Sequence, residues 1–572
     1  MYFLSTIILL LQDEELMLLR SEVKGRPLRI SFDETTIRQV VLCVIVGFVD
    51  AKGKMQQRVM KLGIYDESPE EKLTNQMSDH IIYAIEESLQ VPRCNIKVFT
   101  RDGVYLNELC MTKLVGGTVT NPNDNKTTEI RAFFKNAVNI KCMSHTLDNC
   151  GADYTVGGKK FNRIEGPNAK LLYNQINGLF SGPGDTSNLS WRTAAKTSMP
   201  SVSQTRWWSR EEFWEYLMPY FRYEESKEDA SSLWFDDWVV NRIGRLRADK
   251  KNVGAHIKKL EETFVPGVAG YDRKFLITAF IEVAVVVDIT KKVREATYLI
   301  EGDGPIAVML TEVLDAAKRY YLSTYEDFDY PNVRRHIQQA VRLNIAPPGF
   351  RAPAVLRVEN IPDTALPQPD TALPPEIEPQ VRLPPSDLPR DVAADDNNEI
   401  AWDLEEAWKG YCKQISSPFM KYYDEMVMAH NCTPLWQAAS IADPLNMQRI
   451  AITPRELRSA VEPLLDRLVP RALVDRMVGE LSEYTIACST LKWKNDKYDV
   501  RLKKVEEFWS RHNLLPAWTE FAHIVFLLQP TSACVERAFS ILKYIMGDQQ
   551  VASLQDKIEA SLMLRYNRGL ER

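Results

Sequence analysis

An α/β core interrupted by a large, mostly helical insertion is the fold class this sequence predicts, and three observations carry it. Within the first hundred or so residues, several runs alternate apolar and polar side chains with the period of strands. Across the middle of the chain, apolar residues recur every three or four positions, as on the buried stripe of a helix. Far downstream, residues 531–567 form an amphipathic segment that must return to cover the sheet.

Taken in order, residues 1–27 begin with the apolar run Met1-Tyr-Phe-Leu-Ser-Thr-Ile-Ile-Leu-Leu-Leu11. It has no positive flank or small-residue cleavage site, and it is too short to span a bilayer, so a helix packed on the core is expected and no membrane association. Strands follow at 28–33, 40–49 and 58–65, a helix at 72–88, and a fourth strand at 95–102 that Gly103 ends. The order β-β-β-α-β is that of the ribonuclease H-like core. The first part of this core is expected over 28–200 and its last part over 501–572. Between them, 201–500 reads as the insertion, with helices near 207–218, 275–297, 306–322 and 457–494. Residues 346–399 interrupt that pattern. They contain a tandem Pro-Asp-Thr-Ala-Leu-Pro starting at Pro362 and Pro369, and proline at this density propagates neither helix nor sheet, so an extended, disordered spacer is expected.

Two acids stand at the ends of predicted strands, Asp33 and Asp102, and a third, Glu536, stands early on a predicted helix. That helix has Thr531 or Ser532 as N-cap after Pro530, an apolar stripe at Val535, Phe539, Leu542 and Met546, and a polar face at Glu536, Ser540 and Lys543. Taken singly, each acid reads as a solvated strand end or as a carboxylate favoured by a helix N-terminus.

Together they read differently, because Thr531-Ser-Ala-Cys-Val-Glu-Arg-Ala-Phe-Ser540 resembles the signature of the hAT (hobo/Activator type) transposases. The resemblance implies that Asp33 and Asp102 lie side by side on the first and fourth strands. It also makes Glu536 the last member of an Asp-Asp-Glu triad, catalytic and metal-binding. Such a triad would hold two ions of Mg²⁺ or Mn²⁺, hard cations that take oxygen ligands. Two such ions activate the attacking oxygen on one side of a phosphodiester and stabilise the leaving oxygen on the other.

Further segments match the family. Cys142-Met-Ser-His145-Thr-Leu resembles its Cys-x-x-His-x-Leu segment, expected on the strand after the second aspartate. His145 then either positions the scissile phosphate or is satisfied beside the core; no second Cys/His pair follows, so no zinc site is expected. Arg206-Trp207 resembles the Arg-Trp that opens the family's insertion, where tryptophan stacks on a DNA base; packing in a core is the other reading. Arg245, Arg247, Lys250 and Lys251, in a basic run from Arg242 to Lys259, are either a DNA phosphate-tracking face or a solvated helix face. Leu554, Ile558, Leu562 and Tyr566 recur every four residues, and the resemblance implies that this stripe joins two subunits; packing within the chain is the alternative.

The departures are equally specific. Seventy-one basic residues against 77 acidic give a net charge of −6, unlike the basic surface usual for a DNA-binding protein. Nine cysteines without framework spacing indicate reduced thiols. No Cys/His finger spacing appears, so the family's N-terminal zinc-bearing domain is expected to be missing. Gly103 stands where the family often has Asn, Asn107 fits its downstream asparagine, and Gln549 and Gln550 replace its basic residues. The expected protein is a hAT transposase-like nuclear enzyme, truncated or domesticated by these departures, acting on transposon ends as a homodimer. The alternatives are a non-catalytic dimeric DNA- or protein-binding factor and a nuclease of the same fold.

Overall fold

The computed structural model describes residues 2–37, 39–65, 70–103, 105–120, 127–156, 159–180, 186–200, 202, 208–221, 233–248, 255–325, 328–350, 392–450, 452–493, 496–512, 514–545 and 555–569. The chain forms two compact units. Unit 1 comprises Met1–Tyr154, Thr290–Ser323 and Phe419–Arg572; unit 2 comprises Thr155–Ile289 and Thr324–Pro418. These divisions differ from the sequence-based boundaries at 200 and 501, because residues 155–200, read as core, fold with unit 2, and residues 290–323 and 419–500, read as insertion, fold with unit 1.

Unit 1 is built on a five-stranded mixed sheet. Helix α1 (Tyr2–Val23) precedes β1 (Leu28–Ile37), β2 (Gln39–Val49) and β3 (Met55–Tyr65); helix α2 (Glu70–Tyr83) then leads to β4 (Ile96–Arg101) and helix α3 (Tyr105–Val115). Two short strands, β5 (Gly117–Thr120) and β6 (Thr127–Ile130), form a separate hairpin before β7 (Val138–Lys141) and the short helix α4 (Met143–Asn149). Another two-stranded sheet, β8 (Ala152–Val156) with β9 (Lys159–Arg163), follows. Neither small sheet was expected from the sequence.

In the main sheet the order is β3-β2-β1-β4-β7. The first three strands are antiparallel neighbours, whereas β1, β4 and β7 run parallel. Nine consecutive buried residues, Val41–Val49, show that β2 is covered on both faces, which is why it reads as a continuous apolar run rather than an alternating one. Asp33 lies inside β1, paired with Cys43 and followed by four more strand residues, not at the strand end the sequence suggested.

Two late helices close this core: α5 (Ala533–Ile545), which buries Val535, Phe539 and Leu542, and α6 (Gln555–Gly569). The stripe assigned to a dimer interface is used here. Ile558, Leu562 and Tyr566 are buried in the same apolar core as β1, β2 and β3, the packing within the chain that was the alternative to a dimer interface; Leu554 and Met546 lie outside the described residues. Leu19 and Val23 of α1 join the same core, as expected for a packed N-terminal helix. No described helix is long and apolar enough to cross a membrane.

Unit 2 is largely helical, including Pro167–Phe180, Phe235–Ala248 and most of the long helix Arg273–Ile300. Most of the proline-rich spacer, 351–391, lies outside the described residues, but 392–399 belong to the helix Val392–Tyr422 and are not spacer. The continuous helix expected near 457–494 is instead several short ones, broken at Pro463 and Pro470. In unit 2 the carboxylate of Glu282, fully buried, accepts hydrogen bonds from the Ala169 amide (2.7 Å), Asn168 Nδ2 (2.8 Å) and the Tyr411 hydroxyl, satisfying the N-terminus of helix Pro167–Phe180. A Cβ at Gly166 would collide with that carboxylate. Gly166→Ala is therefore expected to lower the stability of the full-length protein by about 1–3 kcal/mol, whereas Gly410→Ala, with open space around it in a helix, should raise it by about 1 kcal/mol. Urea unfolding followed by tryptophan fluorescence checks the pair; equal midpoints would contradict it.

Candidate active site

The parallel register sets the site. Phe32 pairs with Arg101 and Arg101 with Lys141, so Asp33, Asp102 and Cys142 follow at one level, where β4 and β7 end and β1 continues. The Cys142 amide donates to the Arg101 carbonyl at 2.8 Å and extends that register by one residue. Ligands in open α/β sheets are bound at this edge.

The start of α5 is pinned to the same edge. Thr100 Oγ1 donates to the Gln529 carbonyl (3.3 Å), the Met143 amide to the Pro530 carbonyl (2.7 Å), Ser144 Oγ to Thr531 Oγ1 (3.1 Å), and the Ser532 amide to Cys142 Sγ (3.3 Å). Thr531 Oγ1 also accepts from the Ala533 amide at 3.0 Å and so caps the helix. Glu536 consequently enters the site on the first turn of α5, at its positive end.

The three acids read from the sequence are brought together. His145 Nε2, on α4 rather than on the expected strand, lies 3.3 Å from Asp102 Oδ2 and 3.8 Å from Glu536 Oε1. Asp33 is buried, accepts from Asn107 Nδ2 and from the Glu34 amide, each at 2.9 Å, and lies within electrostatic reach of Asp102 and Glu536. Among the described residues, no group of three or more His, Cys, Asp or Glu side chains is drawn tightly enough to hold a metal ion as it stands.

Electrostatics mark the cluster. Burial, then repulsion from Asp102, Glu34 and Glu536, holds the Asp33 carboxyl well above the ordinary range. Glu34 is pushed up to about 7 by burial and then by Asp102. Burial also raises Glu536, with His145 opposing it and Asp102 adding to it. Burial disfavours a charged imidazole at His145, yet Cys142, Asp102 and Asp33 outweigh it and raise its pKa. The Cys142 thiol is lowered in turn, because His145 and the Ser532 amide outweigh burial. The His145 imidazole, favoured in its protonated form, thus sits against Asp102 and Glu536.

Glu34 and Glu301 were missed from the sequence. Strand alternation places Glu34 off the Asp33 face. Glu301, raised to about 7 by burial and then by Cys142, comes from a loop of no distinctive pattern. Only the adjacency of two acids, Asp33-Glu34, was available as a signal.

The nucleic-acid candidates fare differently. Arg206, Trp207, Lys250 and Lys251 lie outside the described residues. Trp208, beside the proposed stacking residue, is buried in unit 2 with a left-handed backbone, φ 55°. Arg242 is buried on Ser187, whereas Arg245 and Arg247 are exposed, Arg247 in an ion pair with Glu261. No family model and no curated protein matches the chain.

Proposed function

We propose that this chain is a hAT transposase-like protein that breaks and rejoins DNA phosphodiesters at the cluster of Asp33, Asp102 and Glu536. The observation that carries the reading is the meeting of Asp102 and Glu536 at one His145 nitrogen, with buried Asp33 at the same sheet level as Asp102 and within electrostatic reach of both acids. A strand order of β3-β2-β1-β4-β7, with the last three parallel, supports the ribonuclease H-like version of the fold.

The residues fit Mg²⁺ or Mn²⁺. They are hard oxygen donors, and burial with mutual repulsion opposes their ionisation, so a divalent cation supplies the charge that stabilises the ionised set. Asp33, Asp102 and Glu536 would hold the metal, which would activate the attacking oxygen and stabilise the leaving one. Asn107 fixes the orientation of Asp33 through its 2.9 Å bond. The His145 imidazolium offers a positive charge to a phosphate placed beside Asp102. Glu536 is held at a helix N-terminus that favours its anionic form.

A second reading is a non-catalytic nuclear factor that binds DNA or protein. It draws on the same ion pair, because the His145 cation already neutralises part of the acid cluster, and on the net charge of −6. Incubating full-length protein and supercoiled DNA with Mn²⁺ separates the two. Nicked product is expected from the wild type and none above background from Asp102→Asn or Glu536→Gln, with near-UV circular dichroism unchanged. A folded wild type that leaves the DNA intact selects the second reading.

A further inference from the structure

We propose that unit 1 carries a second binding site, a cleft of about 1070 Å³ that takes a small amphipathic anion, an apolar body bearing one carboxylate, sulfonate or phosphate group. Its walls come from the last turns of helix Arg273–Ile300, helix Leu310–Tyr325, helix Tyr498–Arg511 and the start of β3. The volume matches the upper end of ordinary ligand pockets.

The apolar body is read from the floor, where Met55, Leu299, Val313 and Leu502 supply aliphatic surface. The charge is read from which lining groups are already committed. Glu295 pairs with Lys292 at 2.6 Å, Asp303 with Arg537 at 2.9 Å, and Glu506 accepts from the Met55 amide at 3.1 Å. Lys54, Lys497 and Lys503 also line the cleft, are exposed, and make no ion pair among the described residues, against one such carboxylate, Asp499. An apolar floor under three unpaired ammonium groups and a single unpaired carboxylate favours an anion with a hydrophobic body over a cation or a sugar.

Occupancy of this cleft is coupled to Glu536 through one loop. Gly302, Asp303 and Gly304 line the cleft, and Gly304 has a positive φ of 107° that other residues rarely adopt. On its other side the loop is held at both ends of the turn that carries the glutamate. Gln529 Nε2 donates to the Gly304 carbonyl (2.7 Å), and Arg537 donates to the Glu301 carbonyl (2.8 Å) and to Asp303 Oδ1 (2.9 Å). A ligand that favours one position of this loop favours one position of residues 529–537, and the coupling is reciprocal. Binding itself does not depend on the catalytic reading, so the two can fail separately.

The probe is 8-anilinonaphthalene-1-sulfonate, an aromatic sulfonate, titrated into the full-length protein by calorimetry and fluorescence. One saturable site per chain is expected. Ala316→Trp, which fills the cleft from helix Leu310–Tyr325, and the double change Lys497→Glu with Lys503→Glu should each weaken it about tenfold or more, with the urea midpoint retained. If Ala316→Trp does not fold, the lysine variant decides alone. Saturation should also slow amide hydrogen exchange at 301–304 and 531–537. Equal binding by wild type and the lysine variant overturns the site; binding without protection at 531–537 overturns the coupling.

Discussion

Replacing Glu34 with glutamine is expected to stabilise the metal-free protein by about 3 kcal/mol at pH 8 and to change nothing at pH 4. The Glu34 carboxyl titrates near 7 in the fold because burial and then Asp102 oppose its ionisation, against an ordinary value of 4.5. The folded chain therefore binds this proton more tightly than the unfolded chain does. Stability from the group is fully present below pH 4.5 and is lost as the pH rises through 7; glutamine, with no proton to lose, escapes that loss. Each pKa unit corresponds to about 1.4 kcal/mol, which sets the magnitude. Most substitutions of buried residues destabilise, so the sign alone is informative. Urea unfolding in EDTA at the two pH values checks it, and a variant weaker than wild type at pH 8 would refute the electrostatic account.

Asp33→Asn should move stability in the same direction, for the same cause. Mn²⁺ then separates frustration from function. A cation that binds only the folded state adds about 2.7 kcal/mol at a hundredfold excess over its dissociation constant. Wild type should gain that increment and Asp33→Asn should not, so adding metal at pH 8 moves the two stabilities relative to each other by that amount in favour of wild type.

The sheet and its acids were legible because they obey local rules. Strand alternation and Gly103 located β1 and β4, and the spacing of Val535, Phe539 and Leu542 located α5 and the face carrying Glu536. What the pattern did not reveal depends on tertiary partners. Asp33 was taken for a strand end because Glu34-Thr35-Thr36 is polar, yet these residues continue β1 by pairing with Leu42, Val41 and Val40. Glu301 reaches the site from a loop that Arg537 and Gln529 hold by its Glu301 and Gly304 carbonyls. His145 left its expected strand because Pro530 and Thr531 hold Met143 and Ser144 in a helical turn, across nearly four hundred positions of sequence. An apolar stripe states that something covers it, but not whether the cover belongs to the same chain; for Ile558, Leu562 and Tyr566 the cover is the core that includes α1 and β3.

That last point changes what truncation should do. Removing residues after Ala552 is expected to unfold unit 1 rather than release a folded monomer. Helix α6 buries Ile558, Leu562, Met563 and Tyr566 in the core, together worth on the order of 6–12 kcal/mol. It also finishes an edge. Strand β3 is the last of its sheet, and its outward groups are met by α6: the Val59 amide donates to Asn567 Oδ1 (2.8 Å), Asn567 Nδ2 to the Val59 carbonyl (3.3 Å), and the Leu62 amide to Glu559 Oε2 (3.2 Å). Gln12 Nε2 on α1 donates to the same Glu559 at 2.8 Å, so losing α6 strips α1 as well. A bare β3 edge beside exposed apolar surface invites strand pairing between molecules. The lost burial is comparable to the whole stability of an ordinary domain, about 5–15 kcal/mol. The truncated protein should therefore lose its near-UV circular dichroism and aggregate in sedimentation experiments. If it instead sediments as a compact monomer with its urea transition intact, while the full-length chain sediments as a dimer, α6 is an intersubunit element and the burial of Tyr566 within one chain is not the state in solution.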